Sequence, residues 1–90
     1  MKWSLRAWRE KYRETLAAIY PPEEVDALFV RICETLLGLS RVEQQLRSNE
    51  VPLGMQELEL MAVLEKLREG HPLQYVLHRA HFYEIGRVHV

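Results

Sequence analysis

Residues 55–72 read MQELELMAVLEKLREGHP and predict a long helix with a defined end. Leu58 and Met61 widen its apolar face, which predicts a central helix with neighbours on more than one side. Gly70 and Pro72 follow the last apolar residue and end the helix, since glycine favours a left-handed turn and proline cannot continue a helical ladder. The residues predicted to form its main buried face recur at helical spacing: Leu60, Val63, Leu64 and Leu67.

A short helix is predicted upstream of this stretch, separated from it by a loop. Ser40 and Glu43 have the spacing of a capping box, in which each side chain accepts a hydrogen bond from the other residue's backbone N–H. Val42 and Leu46 are predicted to face inward from it. Residues 47–54 then have the composition of a loop.

Two longer helices are predicted before that short one. Ser4 is placed to cap the first, and Pro21 with Pro22 stops it; Pro22 also opens the second, which Gly38 ends. The predicted inward stripe of the first helix is Leu5, Trp8, Tyr12, Leu16 and Ile19. That of the second is Val25, Leu28, Phe29, Ile32 and Leu36.

Downstream, Pro72 opens a fifth short helix that runs to about Leu77, after which the pattern changes. Strand-forming residues follow around Gly86, namely Phe82, Tyr83, Ile85, Val88 and Val90. The prediction is an all-α bundle of four to five helices over residues 1–79, with a short C-terminal β-like extension over residues 80–90. Because a single strand needs a partner, this extension predicts a weak homodimer through strand pairing.

Composition places the chain among soluble globular domains and argues against several partners. Of its 90 residues, 48% are hydrophobic and 28% charged, and the net charge is −1. A balanced charge provides no bulk attraction to nucleic acid or to an anionic membrane, so neither is an expected partner. Cys33 is the only cysteine, which excludes an intrachain disulfide and suits the reducing cytoplasm; we expect it to be a small buried hydrophobe.

No catalytic, cofactor-binding or metal-binding residues are predicted in this chain. Its glycines, at positions 38, 54, 70 and 86, are isolated and do not form a loop that could approach a cofactor. Its serines lack the frame of a nucleophile elbow. His71, His78, His81 and His89 with Cys33 do not show the paired spacing of a zinc site.

A cationic stripe along the first helix is the best local patch in the sequence. It consists of Lys2, Arg6, Arg9 and Arg13, which recur at helical spacing. Two interpretations stay open: an ordinary solvated face, or a docking stripe for an acidic partner or RNA.

The segment Gly70-His71-Pro72-Leu73-Gln74-Tyr75-Val76-Leu77, followed by Phe82-Tyr83, resembles a segment of the HemK/PrmC family, the release factor glutamine N5-methyltransferases. In that family the segment closes an N-terminal helical bundle and enters a β-hairpin. The chain departs from the pattern at His78 and Glu84, where the family commonly has glycine. The family's glycine-rich cofactor loop and its Asn-Pro-Pro-Tyr motif do not occur in these 90 residues.

The resemblance implies a role for the chain as the N-terminal substrate-recognition domain of such an enzyme. The parent enzyme would use S-adenosylmethionine to methylate the glutamine of the Gly-Gly-Gln loop of a peptide-chain release factor. Residues 80–90 would begin the linker β-hairpin to a methyltransferase domain that this sequence lacks. The surface expected to contact that domain or the release factor comprises Gln74, Tyr75, His78, Arg79, Phe82 and Tyr83.

A different class of function stays open beside this one. A stand-alone helical adaptor would bind another protein through the apolar surface around Tyr75, Phe82 and Tyr83. An RNA-binding bundle that uses the cationic stripe is a third alternative, and it predicts binding that weakens strongly with salt.

Overall fold

The chain folds into α-helices joined by short connections. The computed structural model describes residues 2–80, with side chains as far as residue 78. The helices in that range are α1 (Leu5–Leu16), α2 (Pro22–Leu37), α3 (Arg41–Leu46), α4 (Met55–Arg68) and α5 (Leu73–Ala80). The predicted all-α bundle is therefore confirmed for the described residues. The predicted β-like extension falls on residues that lie, apart from Ala80, outside this range, and the division at residue 79 stays a prediction.

The helix ends follow the local signals in the sequence. The Ser4 hydroxyl accepts a hydrogen bond from the backbone N–H of Ala7, 3.2 Å away, and so caps α1. Gly38 has a φ of 70° and ends α2 in the left-handed conformation that glycine adopts without steric strain. Ser40 and Glu43 form both hydrogen bonds of the predicted capping box at the start of α3.

The core is assembled from one face of each long helix. Helix α4 packs against α1, α2 and α5, as its wide apolar face predicts, whereas α2 packs against every other helix and is the more central of the two. Inside the core, the Tyr12 hydroxyl donates a hydrogen bond to the carbonyl oxygen of Leu60, 2.6 Å away, which links α1 to α4. The largest fully buried side chains are Trp8, Tyr12, Leu16, Ile32, Leu60, Leu64 and Leu67.

Two residues predicted to face the core are exposed. Ile19 is 44% exposed because α1 ends at Leu16, where the N–H groups of Ile19 and Tyr20 both bond the Leu16 carbonyl and turn the chain away. Leu58 is 63% exposed. It lies two residues before buried Leu60, which is about 200° around a helix, so it points away from the core.

The prediction for α3 was also wrong, because the buried side chain of this helix is polar. Gln44 is 9% exposed, whereas Val42 and Leu46 are 63% and 80% exposed. The Gln44 side-chain amide donates to the carbonyl oxygens of Val30, at 3.0 Å, and Leu39, at 2.9 Å. These two hydrogen bonds fix the face of α3 that packs on α2, and residues two positions away on either side must then point outward.

The start of α1 is tied to the connection between α3 and α4. The N–H groups of Leu5 and Arg6 donate to the carbonyl oxygens of Glu50, at 2.9 Å, and Ser48, at 3.0 Å. First-turn N–H groups have no partner within their own helix, so the Ser48 and Glu50 carbonyls complete the cap that Ser4 begins. The contact brings the end of α3 beside the start of α1.

Candidate functional site

A concave pocket lies where α1, α2 and α3 meet, and three arginines line it. Arg6 and Arg9 come from α1 and Arg41 is the first residue of α3; the cavity volume is about 220 Å³. We call this site the arginine pocket. The remaining lining residues are Leu5, Asp26, Phe29, Val30, Gln44, Gln45 and Ser48.

The walls of the arginine pocket are held by hydrogen bonds from the middle of α3 and from the turn that follows it. Gln44 anchors α3 to α2, and the Ser48 carbonyl accepts the N–H of Arg6. On α1, Arg6 and Arg9 are three residues apart and therefore lie on the same side of the helix. The arginines are thus brought together by backbone and buried contacts rather than by contacts among themselves.

The acidic side chain of the pocket is already paired. Arg13 donates to both carboxylate oxygens of Asp26, from Nε at 2.8 Å and from Nη2 at 2.5 Å. This two-point hydrogen bonding lowers the pKa of the Asp26 carboxyl, with smaller help from the charge of Arg13 and that of Arg9. In the described part of the chain, Arg6, Arg9 and Arg41 form no comparable ion pair.

Arg9 carries an unmatched donor in this region. Its Nε atom is buried and has no hydrogen-bond partner among the described residues. A buried donor without a partner loses the hydrogen bonds that it would make to water, which costs about 1–3 kcal/mol.

The predicted cationic stripe is divided by the fold. Lys2 precedes the cap Ser4 and so lies outside α1, and Arg13 is paired with Asp26. Arg6 and Arg9 join Arg41 instead, a residue that the sequence did not group with them. The capping box at Ser40 fixes Arg41 at the start of α3, but the proximity of that helix to α1 arises from tertiary packing.

The predicted surface on α5 is described in part. Gln74, Tyr75 and His78 are exposed, with Tyr75 at 46%. The His71 ring stacks on the Tyr75 ring at a centroid distance of 5.4 Å. Phe82 and Tyr83 lie outside the described residues, as does the side chain of Arg79.

The core holds two groups with perturbed acidity. Cys33 is fully buried, as predicted, and burial raises its pKa to about 12, so the reactive thiolate is strongly disfavoured. Burial likewise raises the pKa of Tyr12, with a smaller contribution from Cys33. Within residues 2–80, no three histidine, cysteine or acidic side chains lie close enough to hold a metal ion. None of the helices there has both the length and the apolar composition needed to cross a bilayer.

Comparison with curated proteins identifies two relatives, both named release factor glutamine methyltransferase. That of Bacteroides thetaiotaomicron is 33% identical over 70 residues, which cover 78% of this chain and 25% of the relative. That of Flavobacterium psychrophilum is 29% identical over 79 residues, which cover 88% of this chain and 28% of the relative. No protein-family model matches the chain, and no solved structure matches it significantly. The alignments agree with the resemblance carried by residues 70–77: over most of its length the chain is similar to release factor glutamine methyltransferases, and it spans about a quarter of the length of these relatives.

Proposed function

We propose that this chain is the substrate-recognition domain of an enzyme that methylates a glutamine of a peptide-chain release factor. The alignment of most of the chain with two proteins named for that activity carries the proposal. The sequence itself favours binding over chemistry, since it has neither a glycine-rich cofactor loop nor an Asn-Pro-Pro-Tyr motif. In this role the bundle would act with the translation machinery of the cytoplasm.

A recognition domain contributes to catalysis through contacts remote from the reacting atoms. Binding energy from such contacts orients the substrate and can be used to lower the barrier of the chemical step. Residues elsewhere in the enzyme would bind S-adenosylmethionine and perform the methyl transfer. The bundle would hold the body of the release factor while its Gly-Gly-Gln loop reaches the catalytic residues.

Two experiments test this proposal in sequence. The first is to read the native gene beyond Val90, where we expect a frame that continues into a glycine-rich loop and an Asn-Pro-Pro-Tyr motif. The second compares the resulting enzyme with a version that lacks residues 1–80. The shortened enzyme should methylate a short Gly-Gly-Gln peptide at the rate of the intact enzyme but lose about tenfold or more in kcat/KM on the whole release factor. An equal loss on both substrates would mean that the bundle supports the catalytic fold and does not recognise the substrate.

A stand-alone adaptor is the second candidate function, and the exposure of Tyr75 favours it. The Tyr75 ring is 46% exposed and stacks on the His71 ring, and aromatic residues are enriched at protein–protein interfaces. The adaptor predicts a natural stop codon after Val90 and a partner that Tyr75→Ala releases. A continuing frame with the two methyltransferase motifs would reject it.

A further inference from the structure

We propose that the arginine pocket binds the carboxylate side chains of an acidic segment in a protein partner. This inference deepens the proposed function. It rests on that function only where it identifies the partner as a release factor. The pocket itself is defined by the fold of this chain.

The charge of the arginine pocket favours an anion. Its lining has three arginines against one acidic residue, Asp26. That carboxylate accepts hydrogen bonds from Nε and Nη2 of Arg13, which is not itself a lining residue. Among the described residues Arg6 and Arg41 form no ion pair, and Arg9 interacts with Asp26 only through its charge, as a weaker partner than Arg13. The pocket therefore keeps an excess of positive charge, although the chain as a whole carries a net charge of −1.

The shape of the arginine pocket favours a side chain over a larger ligand. Its volume of about 220 Å³ is below the range of about 300–1,000 Å³ that is usual for sites of drug-sized molecules. Buried Leu5 and Phe29 provide an apolar base, so the methylene groups of a glutamate would contact carbon while its carboxylate meets the guanidinium groups. Arginine donors match a carboxylate in two-point geometry, and the guanidinium groups of Arg6 and Arg41 are exposed to such a ligand.

The same observations disfavour an RNA occupant. Non-specific RNA binding uses a basic track along several phosphates together with aromatic side chains on which bases stack. Here the track is interrupted, because Arg13 is neutralised by Asp26 and Lys2 lies outside α1. Phe29, the aromatic residue of the lining, is only 4% exposed, which allows an edge contact with a methylene group but leaves no ring face on which a base could stack.

The test measures binding of short probes to the full 90-residue chain by fluorescence anisotropy. The probes are labelled tetraglutamate, its tetraglutamine counterpart and a short oligouridylate, and a whole release factor is titrated separately. The pocket variant is Arg6→Gln with Arg41→Gln; both side chains are exposed, so neither change removes a core contact. Arg31→Gln is the matched control, since Arg31 is an exposed arginine of α2 outside the pocket lining. Circular dichroism verifies that all three proteins are equally helical.

We expect tetraglutamate to bind the wild type and Arg31→Gln equally and the pocket variant about tenfold more weakly. A tenfold loss of affinity corresponds to about the free energy of one charge-assisted hydrogen bond. Tetraglutamine should not bind. Equal binding of the two peptides, equal affinity of all three proteins, or tighter binding of oligouridylate than of tetraglutamate would overturn the inference. If the release factor binds all three proteins equally, the pocket assignment fails while the proposed function stands. If tetraglutamate shows the expected pattern but the release factor does not bind, the pocket stands and the proposed function fails.

Discussion

Replacing Gln44 by glutamate tests whether a buried amide positions α3. The substitution Gln44→Glu keeps the shape of the side chain but removes the N–H donors that reach the carbonyl oxygens of Val30 and Leu39. Each such hydrogen bond contributes about 0.5–1.5 kcal/mol net, so losing both costs about 2 kcal/mol before any repulsion between carboxylate and carbonyl oxygens is added. For a domain of this size, that loss lowers the Tm by roughly 8–16 °C.

The pH dependence of this variant provides a second signature. Burial beside carbonyl oxygens disfavours the charged form and raises the pKa of the introduced carboxyl above its value of about 4.3 in the unfolded chain. A group whose pKa is raised by folding stabilises the folded state below its unfolded pKa, and this contribution is lost as the pH rises through its folded pKa. The stability deficit of Gln44→Glu should therefore be largest at neutral pH and shrink as the pH falls toward about 4.

The assay is thermal and urea unfolding followed by circular dichroism, with two controls on the same helix. Gln45→Glu makes the same chemical change at an exposed position and should shift stability by less than about 0.5 kcal/mol. Because Gln45 lines the arginine pocket, any shift should be toward greater stability. Leu46→Ser removes an apolar side chain that is 80% exposed and should also be nearly neutral. The account of α3 would be refuted if Gln44→Glu were as stable as the wild type, or if Leu46→Ser were the more damaging change.

Three further predictions concern α1 and its contacts. Tyr12→Phe removes the hydrogen bond to Leu60 and should cost about 1 kcal/mol in urea unfolding. Because folding raises the pKa of Tyr12, the stability of the wild type should also fall as the pH rises above about 10. If the stability of Tyr12→Phe fell with pH as steeply as that of the wild type, Tyr12 would not be the cause. Ser4→Ala should lower the free energy of unfolding by about 1 kcal/mol, and Ser4→Asp should restore most of that loss. If both variants were as stable as the wild type, the Ser4 hydroxyl would not be the cap. Asp26→Asn should lower the free energy of unfolding by less than about 1 kcal/mol at pH 7, because the pair with Arg13 is partly exposed. Since Arg13 lowers the pKa of Asp26, the difference in stability between variant and wild type should vanish as the pH falls below about 4. A difference that persists in acid would exclude the ion pair as its cause.

The helix ends could be predicted from the sequence because their signals are local. The Ser4 cap, the left-handed Gly38 and the Ser40–Glu43 capping box each depend on residues only a few positions apart. The buried stripe of α1 could also be predicted from Leu5 to Leu16, since a single face of this helix is apolar. Hydrophobicity did not predict the orientation of α3. In α3 the Gln44 amide is buried because it bonds carbonyl oxygens of α2 and of the turn after α2, whereas the aliphatic side chains of Val42 and Leu46 are exposed.

The arginine pocket was only partly predictable. The spacing of Arg6 and Arg9 places them together on one helix, and both were proposed for docking from the sequence. Arg41 joins them through the packing of α3 on α2 and through the tie between Ser48 and Arg6, which no short-range pattern encodes. Arg13, by contrast, belongs to the same stripe in sequence but pairs with Asp26 in the fold.

The affinity of the isolated chain for a whole release factor would decide whether this bundle recognises that substrate. Isothermal titration should detect saturable binding at micromolar to high-micromolar concentration, and Arg31→Gln should leave the affinity unchanged. If the release factor binds a complete glutamine methyltransferase of this family but not this chain at high-micromolar concentration, the chain does not act as a substrate-recognition domain.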